Sequence, residues 1–246
     1  MKLLASIGNY FIFLGQTFKK PEKHSIYYRQ TLKELIYLGV NSIGIVIIIT
    51  IFMGAAITLQ TAYNTSNPIY PRYLVGLGCR DSIILEFSST MVALILAGKV
   101  GSRIASEIGT MRVTEQIDAL EIMGVNTASY LVLPKIIATL VFHPFLTLIS
   151  IMAGIFGGWL ASVTTGAVPA ADFIYGIQYE FIPYYITYSL IKTVVFAFII
   201  SSVSGYQGYF VSGGSLEVGK ASTRSVVYSC ALILLFNLVL TQLLLS

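Results

Sequence analysis

No charged side chain falls between Glu34 and Arg72, between Lys135 and Asp172, or after Arg224. About 20 apolar residues bridge the hydrocarbon layer of a bilayer, so uncharged runs of this length read as membrane spans. Lipid offers the backbone no hydrogen-bond partner, which leaves helices or a closed barrel as the spanning structures. Barrel strands alternate apolar and polar residues. The run 43–59 does not alternate; it is apolar almost throughout. Charged residues make up 11% of the chain, against roughly 25% in soluble domains. The expected fold is an all-α integral membrane protein.

Spans are expected at 39–63, 83–103, 134–163, 183–204 and 223–245. Glu86 and Lys99 interrupt the second. The third uncharged run exceeds one span and is expected to end at Thr164-Thr165-Gly166, with a re-entrant turn at Gly157-Gly158 as the competing arrangement. Residues 1–20 lack a small-x-small cleavage site, so they are not read as a signal peptide. Leu3, Ile7, Tyr10, Phe11, Leu14 and Phe18 share one helical face, which predicts a helix lying in the membrane interface with Lys19 and Lys20 at the headgroups. A frayed terminal helix is the other reading. Residues 22–38 read as a second amphipathic stretch. With no linker or internal repeat, residues 1–246 form one expected domain, in which 1–38 are interfacial and 39–246 form the bundle.

Lys and Arg set the orientation. One side takes Lys2, Lys19, Lys20, Lys23, Arg29 and Lys33, then Lys99, Arg103, Arg112, Lys135, Lys220 and Arg224. The other takes Arg72 and Arg80. This predicts a cytoplasmic N-terminus and, after five spans, an external Ser246. The same rule accounts for the net charge of +4 without nucleic acid. Cys79 and Cys230 are expected near opposite faces, too far apart for a disulfide, and lack metal-site spacing.

The loop between spans two and three runs Glu107-Ile-Gly-Thr-Met-Arg-Val-Thr-Glu-Gln-Ile-Asp-Ala-Leu-Glu-Ile-Met-Gly124. Residues 110–123 predict a short amphipathic helix with Met111, Ile117, Leu120 and Met123 apolar, stopped by Gly124. Its apolar face docks either into a groove on a partner or onto its own bundle. Ala97, Gly101, Ala105 and Gly109 recur every four residues, a spacing that brings helices close in lipid, within the chain or between two copies. Gly154 and Gly158 are a similar pair. Gly214-Ser-Leu-Glu-Val-Gly-Lys220 imitates a phosphate loop, but Ala221 follows where Ser or Thr is needed, and no strand precedes it. No HExxH motif and no nucleophile–base set is present. His143-Pro144 inside a span is expected to kink its helix or hydrogen-bond a neighbouring one.

Ala97-Gly-Lys-Val-Gly-Ser-Arg103 leading into Glu107–Leu120 resembles the signature of the MlaE-like permeases of MCE-associated ABC lipid transporters. Gly54 with Leu59-Gln60, Leu190–Ala197, and Gly219 with Ser222–Ser229 support the resemblance. The chain departs from the family at Leu85-Glu86-Phe-Ser-Ser89, where members often have Arg-Glu-Leu-Gly-Pro. It departs also at Asn237, where some carry an acidic residue, and in the outer loop 62–81. The resemblance implies a permease homodimer in the bacterial inner membrane that moves phospholipid. Separate cytoplasmic ATPase subunits would bind the ATP, this chain itself holding no cofactor or metal, and an MCE-domain protein would sit on the periplasmic side. It also implies that Glu107, Met111, Arg112, Glu115, Gln116, Asp118 and Leu120 belong to an ATPase-coupling helix. A passive channel or scaffold for the MCE ring is the alternative; it has no need of such a helix. Glu86, Lys192 and Asn237 are the polar groups expected within the outer half of the spans. Such groups face a bundle interior or water-filled cavity, so the three are expected to line a lipid cavity. Lys192 would meet a lipid phosphate or pair with Glu86 when the cavity is empty. A static Glu86–Lys192 bridge is the structural alternative.

Overall fold

A computed structural model describes residues 2–19, 24–67 and 69–245, with side chains from Ile7 in the first segment and from Tyr27 in the second. The expectations placed on Lys20, Pro21, Glu22, Lys23 and Ser246, and on the side chains of Lys2 and Leu3, lie outside the described residues. The described elements are α1 (Lys2–Phe18), α2 (His24–Glu34), α3 (Asn41–Asn64), α4 (Leu74–Ser82), α5 (Val92–Leu96), α6 (Ser102–Val113), α7 (Gln116–Ile122), α8 (Thr127–Thr165), α9 (Ala170–Gln178), α10 (Tyr184–Tyr209) and α11 (Ser215–Leu245). No strand occurs among the described residues. Wider π-helical turns at Leu35–Val40, Ile83–Met91 and Ala97–Gly101 join α2 to α3, α4 to α5 and α5 to α6. Among the described residues, 5 helices are long and apolar enough to cross a membrane: Tyr27–Asn64, Leu74–Val113, Thr127–Thr165, Tyr184–Tyr209 and Ser215–Leu245. The fold is therefore an all-α integral membrane one.

Each rod is longer than its expected span. The two charges that interrupt the second span, Glu86 and Lys99, each lie within a π-helical turn. Such turns often sit at functional sites. α8 runs unbroken through Gly157-Gly158 to Thr165, which rules out the re-entrant turn and places its end where the Thr-Thr-Gly signal did. His143 bonds the Thr139 carbonyl of its own helix at 3.1 Å.

The chain divides into two compact units. The first takes Met1–Asn41, Leu94–His143 and Val195–Val239; the second takes Ser42–Ala93, Pro144–Val194 and Leu240–Ser246. Among the described residues, Arg72, Arg80 and Lys192 belong to the second unit, and the other Lys and Arg to the first.

In the first unit α1 is docked rather than frayed. Phe13 is 1% exposed, its ring packed against those of Tyr206, Tyr209 and Phe210, and the Tyr10 hydroxyl meets Ser202 at 2.7 Å. The face expected from sequence, with Ile7, Phe11 and Phe18, is left exposed. The small-residue stripe is used inside this unit. A Cβ on Gly101 would press on Ser204 and Ile200, one on Gly109 on Val218 and Val211, and one on Gly208 on Ala105. The stripe thus packs against α10 and the start of α11 in its own chain.

The second unit is built on backbone contact. A Cβ at Gly54 would run into the Gly154 carbonyl, and one at Gly157 into that of Ile51, so α3 and α8 touch main chain to main chain. Around them pack Ile57, Cys79, Ile83 and Phe173. Hydroxyls add polar ties of the kind that hold helices together in lipid: Ser88 to Ser189 at 3.3 Å and Thr147 to Thr193 at 2.9 Å. Gly54→Ala is expected to cost about 1–3 kcal/mol through overpacking. That lowers the melting temperature of the purified chain by roughly 2–12 °C, while Gly44→Ala, with nothing within 4 Å of its added carbon, leaves it unchanged.

The outer loop 62–81 is partly helical, contrary to expectation. α4 occupies its end and packs on α9. Arg80, assigned from sequence to an outer loop, is 2% exposed. It pairs with Asp81 at 2.8 Å and donates to the carbonyls of Ile177 and Tyr179 at 2.8 and 2.6 Å. It thereby satisfies the carbonyl end of α9, where a cation is favoured. Cys79 and Cys230 are both free thiols.

Candidate functional site

Within the second unit, the π-helical turn Ile83–Met91 carries Glu86 and α10 carries Lys192. The structure brings these two together: Lys192 Nζ lies 3.1 Å from Glu86 Oε1. Lys192 is 0% exposed. Its ammonium also donates to the Leu85 carbonyl at 3.2 Å, to the Tyr188 hydroxyl at 3.0 Å and to Thr241 Oγ1 at 3.5 Å. Thr241 and Thr90 donate in turn to the Glu86 carboxylate, at 3.3 and 3.2 Å. The ammonium is therefore wholly held by its own chain, whereas the Glu86 side chain is 40% exposed. Burying such a pair costs several kcal/mol per ion before attraction repays it, and apolar residues would often serve stability as well. Asn237, half-buried on α11, belongs to the first unit.

Tyr188 and Thr241 complete this site and were not singled out from sequence. Tyr188 stands one helical turn before Lys192, and Thr241 one turn after Asn237. The spacing i, i+4 places each on the same helix face as the residue that sequence marked.

In the first unit the charged loop forms an elbow rather than the single helix expected over 110–123. α6 runs through to Val113. The chain then turns at Thr114 and Glu115, the latter left-handed at φ 59°, before α7. The adjacent β-branched Val113 and Thr114 are poor helix formers. Arg112 reaches across the turn to Asp118 at 2.8 Å and Glu121 at 3.7 Å. Glu121 accepts from Tyr209 at 2.9 Å and Thr127 at 3.1 Å. α7 stops in a Schellman motif: Val125 N–H reaches the Leu120 carbonyl and Gly124 N–H that of Glu121. Gly124 holds φ +80°, which glycine supplies without strain.

Of the expected coupling residues, Glu115 and Gln116 are exposed, while Met111, Arg112, Asp118 and Leu120 are half-buried. Ile117 faces inward at 0% exposure. The apolar side chains that do project are Ile122 at 87% and Met123 at 68%. The helical pattern pointed past Ile122 because the break at Glu115 resets the helical phase. Glu107 is held from behind: Lys135, 4% exposed, bonds it at 2.9 Å and Glu34 at 2.5 Å. One buried cation thus ties α2, α6 and α8 together. Lys135→Met is expected to destabilise the protein by about 3–5 kcal/mol, because it strands the Glu34 carboxylate, 18% exposed, without its cation. Adding Glu34→Gln and Glu107→Gln recovers most of the loss, measured by thermal melting.

The family model "Permease MlaE" matches residues 31–243. A probable ABC transporter permease protein of Rickettsia bellii is 35% identical, over 99% of this chain and 93% of that protein. One of Synechocystis is 34% identical, over 95% and 88%. The intermembrane phospholipid transport system permease protein MlaE of Haemophilus influenzae is 30% identical, over 94% and 88%. With the all-helical membrane fold and a family match across most of its length, the chain belongs to the MlaE permease family.

Proposed function

We propose that this chain is the membrane subunit of an ABC transporter that moves phospholipid, working as a homodimer in the bacterial inner membrane. Two cytoplasmic ATPase subunits supply the energy and an MCE-domain protein receives or delivers lipid on the periplasmic side. The N-terminus is cytoplasmic, in keeping with the Lys and Arg asymmetry of the segments between spans and the positive-inside rule. The observation that carries the reading is Lys192, buried in an apolar helix bundle and paired with a carboxylate that remains partly open. An intramembrane cation of this kind is by default functional. In the empty state it pairs with Glu86; a lipid phosphate competes for the same ammonium. The elbow from Glu107 to Met123 meets the ATPase, its projecting Ile122 and Met123 filling an apolar groove on that partner. Isolating the native complex and identifying its subunits and lipid by mass spectrometry tests this. An ATPase, an MCE-domain protein and co-purified phospholipid are expected; a complex with no ATPase would leave a passive scaffold as the better reading.

A further inference from the structure

We propose that Lys135 is a positioning residue for energy coupling. Its ammonium passes between two arrangements, one that holds α6 and one that releases it. In the structure the ammonium is shared between Glu34 on α2 and Glu107 on α6. An ammonium has three donors, and each carboxylate has two acceptor oxygens, so acceptors are left over. The surplus lies on α2. Glu34 Oε2 and Gln30 Oε1 are both buried, and neither has a hydrogen-bond partner among the described residues. Gln30 stands one turn before Glu34, and the spacing of Tyr27, Gln30 and Glu34 puts all three on one helix face. The Tyr27 hydroxyl meets Ser129 of α8 at 3.0 Å, so that face is turned to the helix that carries Lys135. Buried acceptors without a donor are costly to keep. They give the ammonium a second arrangement, withdrawn wholly to α2. Glu107 can release it, because its side chain is 41% exposed and water takes the place of the cation. Glu34, 18% exposed, is the partner that stays. The Tyr27–Ser129 bond holds α2 on α8 in both arrangements. What changes is the tie to α6, which runs directly into the elbow at Glu115. Coupling between distant sites requires an element with two discrete arrangements of this kind. The inference rests on the elbow meeting the ATPase, as proposed above.

The test uses the complete complex in proteoliposomes and reads lipid transferred per ATP hydrolysed beside thermal melting. Gln30→Met removes the waiting oxygen and breaks no hydrogen bond of the resting arrangement. It is expected to leave melting and co-purification of the ATPase unchanged. Lipid moved per ATP falls about tenfold, the effect of losing one hydrogen bond to a charged group. Lys135→Met with Glu34→Gln and Glu107→Gln recovers most of its stability, yet is expected to hydrolyse ATP with lipid transfer still at background. An ion node that only braces the fold gives the opposite pattern. Transfer then returns with stability in the triple variant, and Gln30→Met moves lipid as the wild type does. Either of those results would overturn the proposal and leave the transporter reading intact. Absence of ATP-driven transfer by the wild-type complex would overturn the transporter reading, and this proposal with it.

Discussion

Lys192→Met is expected to reduce phospholipid transport by about a hundredfold while the protein still inserts and assembles. Hydrogen bonds to charged groups contribute about 1.5–3 kcal/mol each. Losing one or two of them to a lipid phosphate therefore costs roughly 3 kcal/mol, or more than two decades of affinity. Folding survives because the carboxylate left behind, Glu86, is 40% exposed and keeps the hydroxyls of Thr90 and Thr241. A charge swap separates lipid recognition from simple bracing. Glu86→Lys with Lys192→Glu rebuilds an ion pair with reversed ends. If the pair only holds helices together, the swap restores transport. If the cation at position 192 receives the phosphate, the swap remains inactive although the protein is assembled.

Ile122→Asp with Met123→Asp is expected to weaken the complex with the ATPase by about a hundredfold or more. Fully burying an Ile or Met side chain contributes about 1.5–3 kcal/mol, and two carboxylates would be desolvated besides. The two side chains are 87% and 68% exposed, so the substitutions leave the isolated subunit intact. ATP-dependent transport and co-purification with the ATPase should fall together, with unchanged melting of the isolated chain. Glu115→Lys with Asp118→Lys is a different experiment from the one a continuous helix would suggest. Asp118 is the partner of Arg112 across the elbow, so this variant also opens the turn, and its loss of coupling should come with a lower melting temperature. Unchanged turnover and ATP hydrolysis in both double variants would place the coupling contacts elsewhere.

The membrane fold was legible because long uncharged runs that do not alternate have one physical solution in lipid, the helix. The Gly166 and Gly124 stops were legible for the same local reason, since both adopt positive φ. The break at Glu115 was not. Residues 110–123 contain no Pro or Gly, and the weak helix formers Val113 and Thr114 mark a break only together with the buried Ile117 and the Arg112–Asp118 bridge. Arg80 was misread because charge in a connecting segment usually means solvent. Here the segment folds into α4, and the guanidinium is used by the end of α9. At the site, Glu86 and Lys192 stood out as charges among apolar residues. Tyr188 and Thr241 are ordinary residue types in membrane helices, and only their positions give them a role. The π-helical turns at Glu86 and Lys99 leave no mark in residue composition beyond the charges themselves.

The most direct measurement is transfer of a labelled phospholipid out of proteoliposomes that contain the complete complex, followed with and without ATP. The account predicts transfer that requires ATP and falls to background in the Lys192→Met complex while the ATPase subunits remain bound. Transfer at the same rate without ATP, or steady ATP hydrolysis with no lipid moved, would contradict it.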